Sequence, residues 1–310
     1  MPPYLNARNI LKPNKYYGAA IAAFTIWGFF PLALKALTHY PSEQILYFRI
    51  LFSVALLFVV SFIFRRHSLH ETYQQYKNSP VREKRRFIGL NILGGLCQTL
   101  NWFVFIYVIN HINIQTGSFS YLLCPIITAL LGFVILKEEL KPNQWLAIGL
   151  SLISCFLLGS GSVKNLLFSL VIAFSYAFYL IIQRVLKEYD KLVLLTLQLT
   201  VTFILLGPFY QYFNADHALG IDLYFFGIIL LIALAFTIIP LFLNLFALKE
   251  LKSGTIGILM YINPIINFII AFLYFGEQTS TQQAAAYALI FFSVIIYNLN
   301  FKKRAVPIIG

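Results

Sequence analysis

The sequence predicts an all-α membrane protein with ten transmembrane helices, arranged as two inverted five-helix repeats with both termini in the cytoplasm. Three observations lead to this prediction: an apolar composition, ten apolar runs of spanning length, and a similarity between the two halves. Of the 310 residues, 60% are hydrophobic and 11% are charged, and the mean hydropathy is +0.79. Because soluble domains carry about 25% charged residues, this composition excludes an ordinary water-soluble protein.

Each of the ten runs has about the length that a transmembrane helix requires, which is roughly 20 apolar residues for a hydrocarbon core of about 30 Å. The runs are continuously apolar, whereas the strands of a membrane barrel alternate, so we expect helices. The first run is longer than a signal-peptide core and no small-residue cleavage site follows it, so it is expected to be retained. The runs cover residues 16–37, 45–64, 87–109, 116–136, 144–159, 165–186, 192–213, 223–248, 255–275 and 281–301.

The lysine and arginine residues indicate how these runs are oriented. Cations in short loops favour the cytoplasmic side of a membrane. Of the 23 lysine and arginine residues, 20 lie in the terminal segments and in every second loop, and the intervening loops contain only Lys164. Both termini are therefore expected in the cytoplasm. The net charge of +12 then reflects topology: the basic loop at residues 65–86 is expected to meet anionic lipid headgroups, and no nucleic-acid partner is expected.

An internal repeat relates the two halves of the chain. A shift of 139 residues aligns residues 116–138 with residues 255–277 without a gap, pairing Pro125 with Pro264 and Glu138 with Glu277. A shift of 149 residues aligns the first two runs with the sixth and seventh, and it places Trp27 on Tyr176, Lys35 on Arg184 and Arg49 on Gln198. We predict repeats at residues 1–160 and 161–310. Because each holds five helices, the second enters the membrane in the opposite sense, as in transporters whose site lies between inverted repeats.

Arg184 lies at the end of the run 165–186 and is counted with the loop that follows it. The other two cations inside the runs, Lys35 and Arg49, are candidate binding residues, because charge within a membrane is expensive and is usually functional. Lys35 could instead snorkel to the interface, and Arg49 could reach outward or pair with Glu43. If both face a central cavity, they would suit a carboxylate or a phosphate. The runs contain no acidic residue, which disfavours a buried carboxylate that exchanges protons for lipophilic cations and leaves the coupling mechanism open.

Polar and aromatic side chains near the middle of the runs complete the predicted pocket. Aromatic residues there could also be interfacial or core residues, and amides could simply join neighbouring helices. The matched prolines Pro125 and Pro264 are the predicted hinges, because proline frees a backbone carbonyl and bends a helix. The pocket candidates are Trp27, Gln98, Asn101, Trp102, Tyr121, Tyr176, Tyr179, Gln183, Gln198, Tyr261, Asn263 and Asn267.

No feature of the chain predicts catalysis, a metal or a cofactor. The three cysteines, Cys97, Cys124 and Cys155, lie in apolar runs without the spacing of a zinc site or a disulfide framework. A membrane-embedded transferase would need metal-binding acids or a nucleophile with its base. The sequence offers no such set, so we expect a small-molecule solute as the partner and treat the transferase as a remote alternative.

Several short motifs lie in order along the ten runs. They are Trp27-Gly28-Phe29-Phe30-Pro31 with Lys35, then Arg49, Asn101-Trp102, Asn110-His111, Pro125, Lys137-Glu138 and Ser175-Tyr176-Ala177-Phe178-Tyr179. Taken together, these motifs resemble the RarD-type branch of the EamA transporters, in the drug/metabolite transporter superfamily. The resemblance implies an inner-membrane permease that exports metabolites or drugs, in a family whose substrates include aromatic and other amino acids. Cys124 departs from the family pattern, which often has an asparagine before this proline.

Phosphorylated metabolites are the alternative substrate class, because Lys35 and Arg49 would suit a phosphate equally well.

Overall fold

The structure is a computed structural model, which describes residues 15–37, 39–111, 114–158, 163–209, 222–274 and 281–299. Within those ranges the regular structure is entirely helical, with a 3₁₀ turn at Gly207–Phe209 and a π-helical segment at Leu234–Ile238. The α-helices are α1 (Lys15–Gly28), α2 (Phe30–Lys35), α3 (Ser42–Phe64), α4 (Arg66–Asn78), α5 (Val81–His111), α6 (Ile114–Leu136), α7 (Pro142–Leu158), α8 (Val163–Val185), α9 (Lys191–Leu206), α10 (Leu223–Ala233), α11 (Ile239–Leu248), α12 (Ser253–Leu259), α13 (Ile262–Leu273) and α14 (Thr281–Asn298).

The prediction of an all-α fold is confirmed for the described residues, and the described part of each apolar run is helical almost throughout. Six stretches in the described part are long and apolar enough to cross a membrane: Lys15–Leu34, Glu43–Phe64, Val81–Phe105, Lys164–Val185, Lys191–Phe209 and Leu223–Leu248. Shorter apolar helices occupy Ser120–Leu136, Pro142–Leu157 and Ala284–Tyr297. The number of ten spans and the cytoplasmic position of the termini remain predictions.

Three helices are interrupted just before a proline. The chain turns at Phe29 ahead of Pro31, and the π-helical segment lies ahead of Pro240. A third break, at Met260 and Tyr261, separates α12 from α13 and precedes Pro264. The common cause is that proline has no N–H to donate and its ring clashes with the carbonyl four residues earlier. The other predicted hinge differs, because α6 runs continuously through Pro125.

Helices from the two halves of the chain pack against one another. The main contacts join α6 to α8 and α12, α5 to α8 and α9, α1 to α11 and α13, α3 to α9 and α10, and α7 to α14. Large apolar side chains such as Phe62, Phe64, Phe156 and Leu223 are exposed on the outer faces of the bundle. In water such a surface would aggregate, but in a membrane it faces hydrocarbon chains.

The predicted basic loop is largely helical. Helix α4 lies between the first spans, and Thr72 is its buried residue. Helix α5 begins at Val81, six residues before the apolar run. The basic residues at 82–86 therefore extend a spanning helix instead of forming an irregular loop.

Candidate functional site

Arg49 lies in the interior of the bundle with its guanidinium between two aromatic rings. Its exposed fraction is 8%. The guanidinium carbon is 4.6 Å from the ring centre of Trp102 on α5 and 4.9 Å from that of Phe30 on α2. Such cation–π contacts are strongest where water is excluded. The alternative pairing with Glu43 is not formed, and no carboxylate of the described residues lies within 4 Å of Arg49.

The backbone carbonyl of Phe236 is the acceptor around which the site forms. In a regular helix this oxygen would accept from the N–H of residue 240, but that residue is Pro240, which has none. Side chains from other helices supply donors in place of the missing N–H. Trp27 Nε1 donates to the Phe236 oxygen at 3.1 Å, and Arg49 Nη2 lies 3.5 Å from that oxygen. The proline thus creates a polar anchor in an apolar helix.

Thr237, the next residue of the π-helical segment, holds the guanidinium in a defined orientation. Arg49 Nε donates to Thr237 Oγ1 at 2.6 Å, and the Thr237 hydroxyl donates to the Ile232 carbonyl at 3.1 Å. Because a hydroxyl has only one proton, this second bond leaves its lone pairs facing Arg49. These contacts engage two of the five N–H donors of a guanidinium, so the group keeps capacity to bind an anion.

A cluster of aromatic side chains adjoins the arginine. Tyr176 on α8 makes edge contacts with Trp27 and Tyr121 at 6.4 Å between ring centres, and it lies 6.0 Å from Tyr179. Asn244 on α11 donates from Nδ2 to the Tyr176 hydroxyl at 3.3 Å. All four rings belong to or pack against the largest core cluster, which also contains Trp102. The structure therefore brings five predicted pocket aromatics together.

Several buried polar atoms near this cluster have no hydrogen-bond partner among the described residues. They include both amide atoms of Gln98, Asn101 Oδ1, the Tyr179 hydroxyl and Asn244 Oδ1. Leaving a buried polar group unpaired costs about 1–3 kcal/mol, and most such groups in proteins are paired. These atoms therefore mark where water or a polar ligand would be stabilised.

Asn101 also joins two helices. Its Nδ2 donates to the Ile172 carbonyl at 2.9 Å and lies 3.4 Å from Ser175 Oγ, both on α8. One end of this amide is therefore structural, as the helix-joining alternative predicted, and its unpaired oxygen is the end that remains for a ligand.

Gln183 and Gln198 form a chain of amides with Asn91. Gln183 Nε2 donates to Gln198 Oε1, and Gln198 Nε2 donates to Asn91 Oδ1 at 3.3 Å. The chain is enclosed by α5, since a Cβ on Gly94 would lie 3.0 Å from Gln198 Nε2. These two predicted pocket residues bond to each other and link α5, α8 and α9.

Three other candidates, Tyr261, Asn263 and Asn267, contact residues outside the set described above. Tyr261 packs in a second core cluster with Cys155 on α7 and Ile290 on α14. On α13, Asn267 donates to the side chain of Asn263 at 2.8 Å. Lys35 ends α2, and its side chain lies outside the described part of the structure, so its place in the pocket stays a prediction.

The site also contains residues that the sequence pattern did not indicate. Phe30, Phe236, Thr237 and Asn244 all contact the predicted residues. Asn244 had a usable signal, as an isolated amide in an apolar run. The position of Phe236 four residues before a proline was a second signal. Within the described ranges no three histidine, cysteine or acidic side chains are grouped as metal ligands.

Known proteins with similar sequences point to one family. The profile of the EamA-like transporter family matches residues 14–160 and, a second time, residues 163–299. Protein RarD of Escherichia coli (strain K12) is 27% identical over 289 residues, which cover 91% of this chain and 93% of that protein. Protein RarD of Streptomyces exfoliatus is 26% identical over 303 residues, covering 97% and 93%. An uncharacterized transporter of Pseudomonas aeruginosa is 28% identical over 296 residues, covering 92% and 93%.

The fold also matches a solved structure. A protein of known crystal structure superimposes with a TM-score of 0.69 and 14% sequence identity, covering 93% of this chain and 97% of the other. This likeness supports the fold alone. Because the family profile covers nearly the whole chain and the RarD proteins align over about nine tenths of it, this integral membrane protein belongs to the EamA-like transporter family, in its RarD-type branch.

Proposed function

We propose that the protein is a secondary transporter that exports small organic solutes with an anionic or zwitterionic head, such as amino-acid-like metabolites or drugs. Transport follows from the family, and the observation that carries the solute class is Arg49, a nearly buried cation that has no carboxylate of the described residues within 4 Å. The solute would bind in a cavity between the two halves, and alternating access would carry it across the membrane.

The proposed architecture is ten spans in two inverted repeats, residues 1–160 and 161–310, with both termini in the cytoplasm of a bacterium and the chain in its inner membrane. The double match of the family profile supports it. The main helix contacts support it too, because exchanging the halves converts these contacts into one another. The α6–α8 contact corresponds to α13–α1, α5–α8 to α11–α1, and α5–α9 to α10–α3.

The energetics of Arg49 favour an anionic solute. An arginine at the centre of a membrane helix costs about 2.5–3.5 kcal/mol in insertion experiments, and this is an upper figure for Arg49, which lies in the first half of α3. Cation–π contacts with Trp102 and Phe30 recover about 0.5–2 kcal/mol each. A solute that supplies the missing negative charge would add a charge-assisted hydrogen bond, which is about twice as strong as a neutral one.

The neighbourhood of Arg49 suits a carboxylate attached to an apolar or aromatic body. The planar guanidinium can bind a carboxylate through two parallel hydrogen bonds. Trp27, Tyr121 and Tyr176 lie next to it in the aromatic cluster and would contact the body of the solute. A phosphorylated metabolite is the second candidate, because a guanidinium binds phosphate equally well and Lys35 would provide the further charge that a phosphate dianion needs.

Reconstitution in liposomes tests the proposal. Radiolabelled amino acids, aromatic carboxylates and phosphorylated solutes would be screened for flux into or out of the vesicles. For a transported anion, Arg49→Gln should raise KM by at least about tenfold, the value of a lost charge-assisted hydrogen bond, while Arg49→Lys keeps part of the affinity. For a neutral analogue of the same solute, Arg49→Gln should change KM little.

Lys164→Gln is the matched control, because it removes an exposed cation about three helical turns along α8 from Tyr176. Unchanged affinity for every anionic solute in the Arg49→Gln protein would remove Arg49 from the binding site. If no solute moves and a membrane-bound compound is chemically converted instead, the transferase alternative replaces transport.

A further inference from the structure

Glu138 follows an unusual turn at one end of the bundle, the end that the sequence predicts to be cytoplasmic. Lys137, the residue after α6, has a φ of 54°, a conformation that is uncommon for a residue other than glycine. The N–H of Glu138 then donates to the Gly132 carbonyl at 3.1 Å. The chain is thereby turned back on itself, and the Glu138 carboxylate is directed at α12.

The carboxylate contacts two helices of the second half. It accepts from the backbone N–H of Ser253 at 3.0 and 3.2 Å and lies 3.3 Å from the Ser253 hydroxyl. Arg184 Nε, at the end of α8, is 3.6 Å away, and the side chains of Arg184 and Glu138 are 17% and 10% exposed. Arg184 Nη1 also donates to the carbonyls of Leu248 and Lys249 at 2.8 Å.

These contacts satisfy backbone groups that helix ends leave unpaired. The carboxylate takes the N–H at the start of α12, and the guanidinium takes the carbonyls at the end of α11. Glu138, a residue of the first half, therefore contacts a junction where the ends of three helices of the second half meet, namely α8, α11 and α12. The neighbouring Lys252 adds a bond from its Nζ to the Glu139 carbonyl at 3.1 Å.

The helices behind this junction are packed tightly, and glycines make the close approach possible. A Cβ on Gly257 of α12 would lie 3.0 Å from the Pro125 carbonyl oxygen of α6, and one on Gly254 would lie 3.5 Å from Ala129 Cβ. Small residues allow helix backbones to approach in this way. The helices before and after the break at Met260 and Tyr261 pack against different neighbours. Helix α12 contacts mainly α6, whereas α13 contacts mainly α1.

We propose that Glu138, Arg184 and Ser253 form a latch that holds this end of the bundle shut and opens once in each transport cycle. The inference rests on the proposed function, because an alternating-access transporter must expose its site at each end in turn. The latch is suited to opening because it consists of three polar contacts at helix ends. Each partner can exchange these contacts for water when the end opens.

Thiol labelling gives a test that needs no known solute. Thr128 is fully buried on α6, and a Cβ on Gly257 would lie 3.2 Å from its Cβ, so it lies on the interface behind the latch. In a chain with Cys97, Cys124 and Cys155 replaced by alanine, Thr128→Cys would report opening to a membrane-impermeant maleimide applied at this end. Adding Glu138→Gln should speed labelling about tenfold, the effect of losing a charge-assisted hydrogen bond.

Glu139→Gln is the matched control, because it removes the exposed neighbouring carboxylate and should leave the labelling rate unchanged. Arg184→Gln should speed labelling as Glu138→Gln does, and the double variant should add little, since both changes break one junction. Ser253→Ala is a milder variant in case either charge change prevents folding. Equal labelling rates in the parent, Glu138→Gln and Ser253→Ala chains would overturn the latch.

A cross-link tests whether the interface has to separate. A Cβ on Gly132 would lie 3.3 Å from Ser253 Cβ, close to the Cβ separation of about 3.5–4.5 Å in disulfides. The same Cβ would lie 2.9 Å from Glu138 Oε2, so the carboxylate has to shift in this variant, and the reduced double variant is the reference for its flux. In the same cysteine-free background, the Gly132→Cys, Ser253→Cys double variant should lose flux on oxidation and regain it on reduction. Each single variant should be insensitive to the oxidant.

Continued flux in the fully cross-linked protein would show that this end does not open, and the latch would be excluded while transport stands. If the reduced protein and the parent chain move no solute, the proposed function fails instead. The labelling experiment then still decides whether Glu138 controls access at this end.

Discussion

Thr237 shows how one hydroxyl can determine what a buried arginine does. Its proton is given to the Ile232 carbonyl, so its oxygen can only accept from Arg49 Nε. The guanidinium is thereby fixed against Trp102 and Phe30 before any solute arrives. A charged group that is already oriented loses less freedom on binding, which favours affinity.

Replacing Thr237 with valine tests this orientation. Thr237→Val keeps the side-chain shape but leaves a buried charged donor unpaired, so the folded state should lose about 1–3 kcal/mol. We expect a lower midpoint of thermal unfolding in detergent and a KM for the anionic solute raised about tenfold. Thr200→Val is the control, because the Thr200 hydroxyl bonds only within α9, to the Thr196 carbonyl at 2.7 Å. Identical KM values in the Thr237→Val and parent proteins would contradict a fixed guanidinium.

The sequence indicated the surroundings of some candidate residues better than those of others. Arg49 is conspicuous because a cation in an apolar run demands an explanation, and the structure places it among the predicted aromatics Trp27, Trp102 and Tyr176. Gln183 and Gln198 were selected for the same reason, yet they bond to each other. The type of residue shows that a polar partner is needed, but only packing shows whether the protein supplies it.

At the scale of the helix, the missing backbone N–H of Pro240 shapes the site. Pro240 offers no N–H to the Phe236 carbonyl of the π-helical segment before it, and that oxygen instead accepts from Trp27 of α1 and lies 3.5 Å from Arg49 Nη2 of α3. One missing N–H thus connects three spans. A π-helical turn inside an α-helix often occurs at a functional site for this reason.

Restoring the N–H should remove the anchor. In Pro240→Ala the alanine N–H can bond to the Phe236 oxygen, so the helix gains a bond while Trp27 and Arg49 lose their acceptor. We expect thermal stability to change little and solute affinity to fall by about tenfold, the effect of one lost hydrogen bond to a charged group. The measurement is KM in liposomes alongside a thermal melt. Pro208→Ala, in the 3₁₀ turn after α9, is the control, and an equal loss in both variants would make the effect nonspecific.

The two predicted hinge prolines, Pro125 and Pro264, differ in the local structure of their helices. The break between α12 and α13 precedes Pro264, whereas α6 is continuous at Pro125. Gly257 of α12 packs closely against α6 at Pro125. Equivalent prolines in the aligned sequences therefore have different local structures. Proline lowers the stability of a helix, but neighbouring helices decide whether the helix bends.

For the molecule as a whole, orientation in the membrane is the prediction with the widest consequences. Residues 71 and 164 lie outside the predicted spans and are separated by three of them, so they should face opposite sides of the membrane. Both Glu71 and Lys164 are exposed. In the cysteine-free background, Glu71→Cys should react with an impermeant maleimide only from the cytoplasmic side and Lys164→Cys only from the other side.

A membrane-permeant maleimide should label both variants and is the control for exposure. Labelling of both from one side would mean an even number of spans between them, and the inverted repeat would then be wrong. The alignment of the halves also pairs the latch residues Glu138 and Arg184 with Glu277 and Lys35 in sequence. Glu277 lies outside the described ranges, so this correspondence concerns the sequence alone.

The amino-acid sequence by itself determined the class of the protein, its apolar helices and the exceptional status of Arg49, because hydropathy and charge act on each segment independently of the rest of the fold. The tertiary structure decided which polar groups meet. It brought Arg49 to Thr237 and the Phe236 carbonyl, paired Gln183 with Gln198, and set Glu138 against Arg184 and Ser253. These partners lie far apart along the chain, and a hydrogen bond needs alignment within a few tenths of an ångström, which only the packed helices provide.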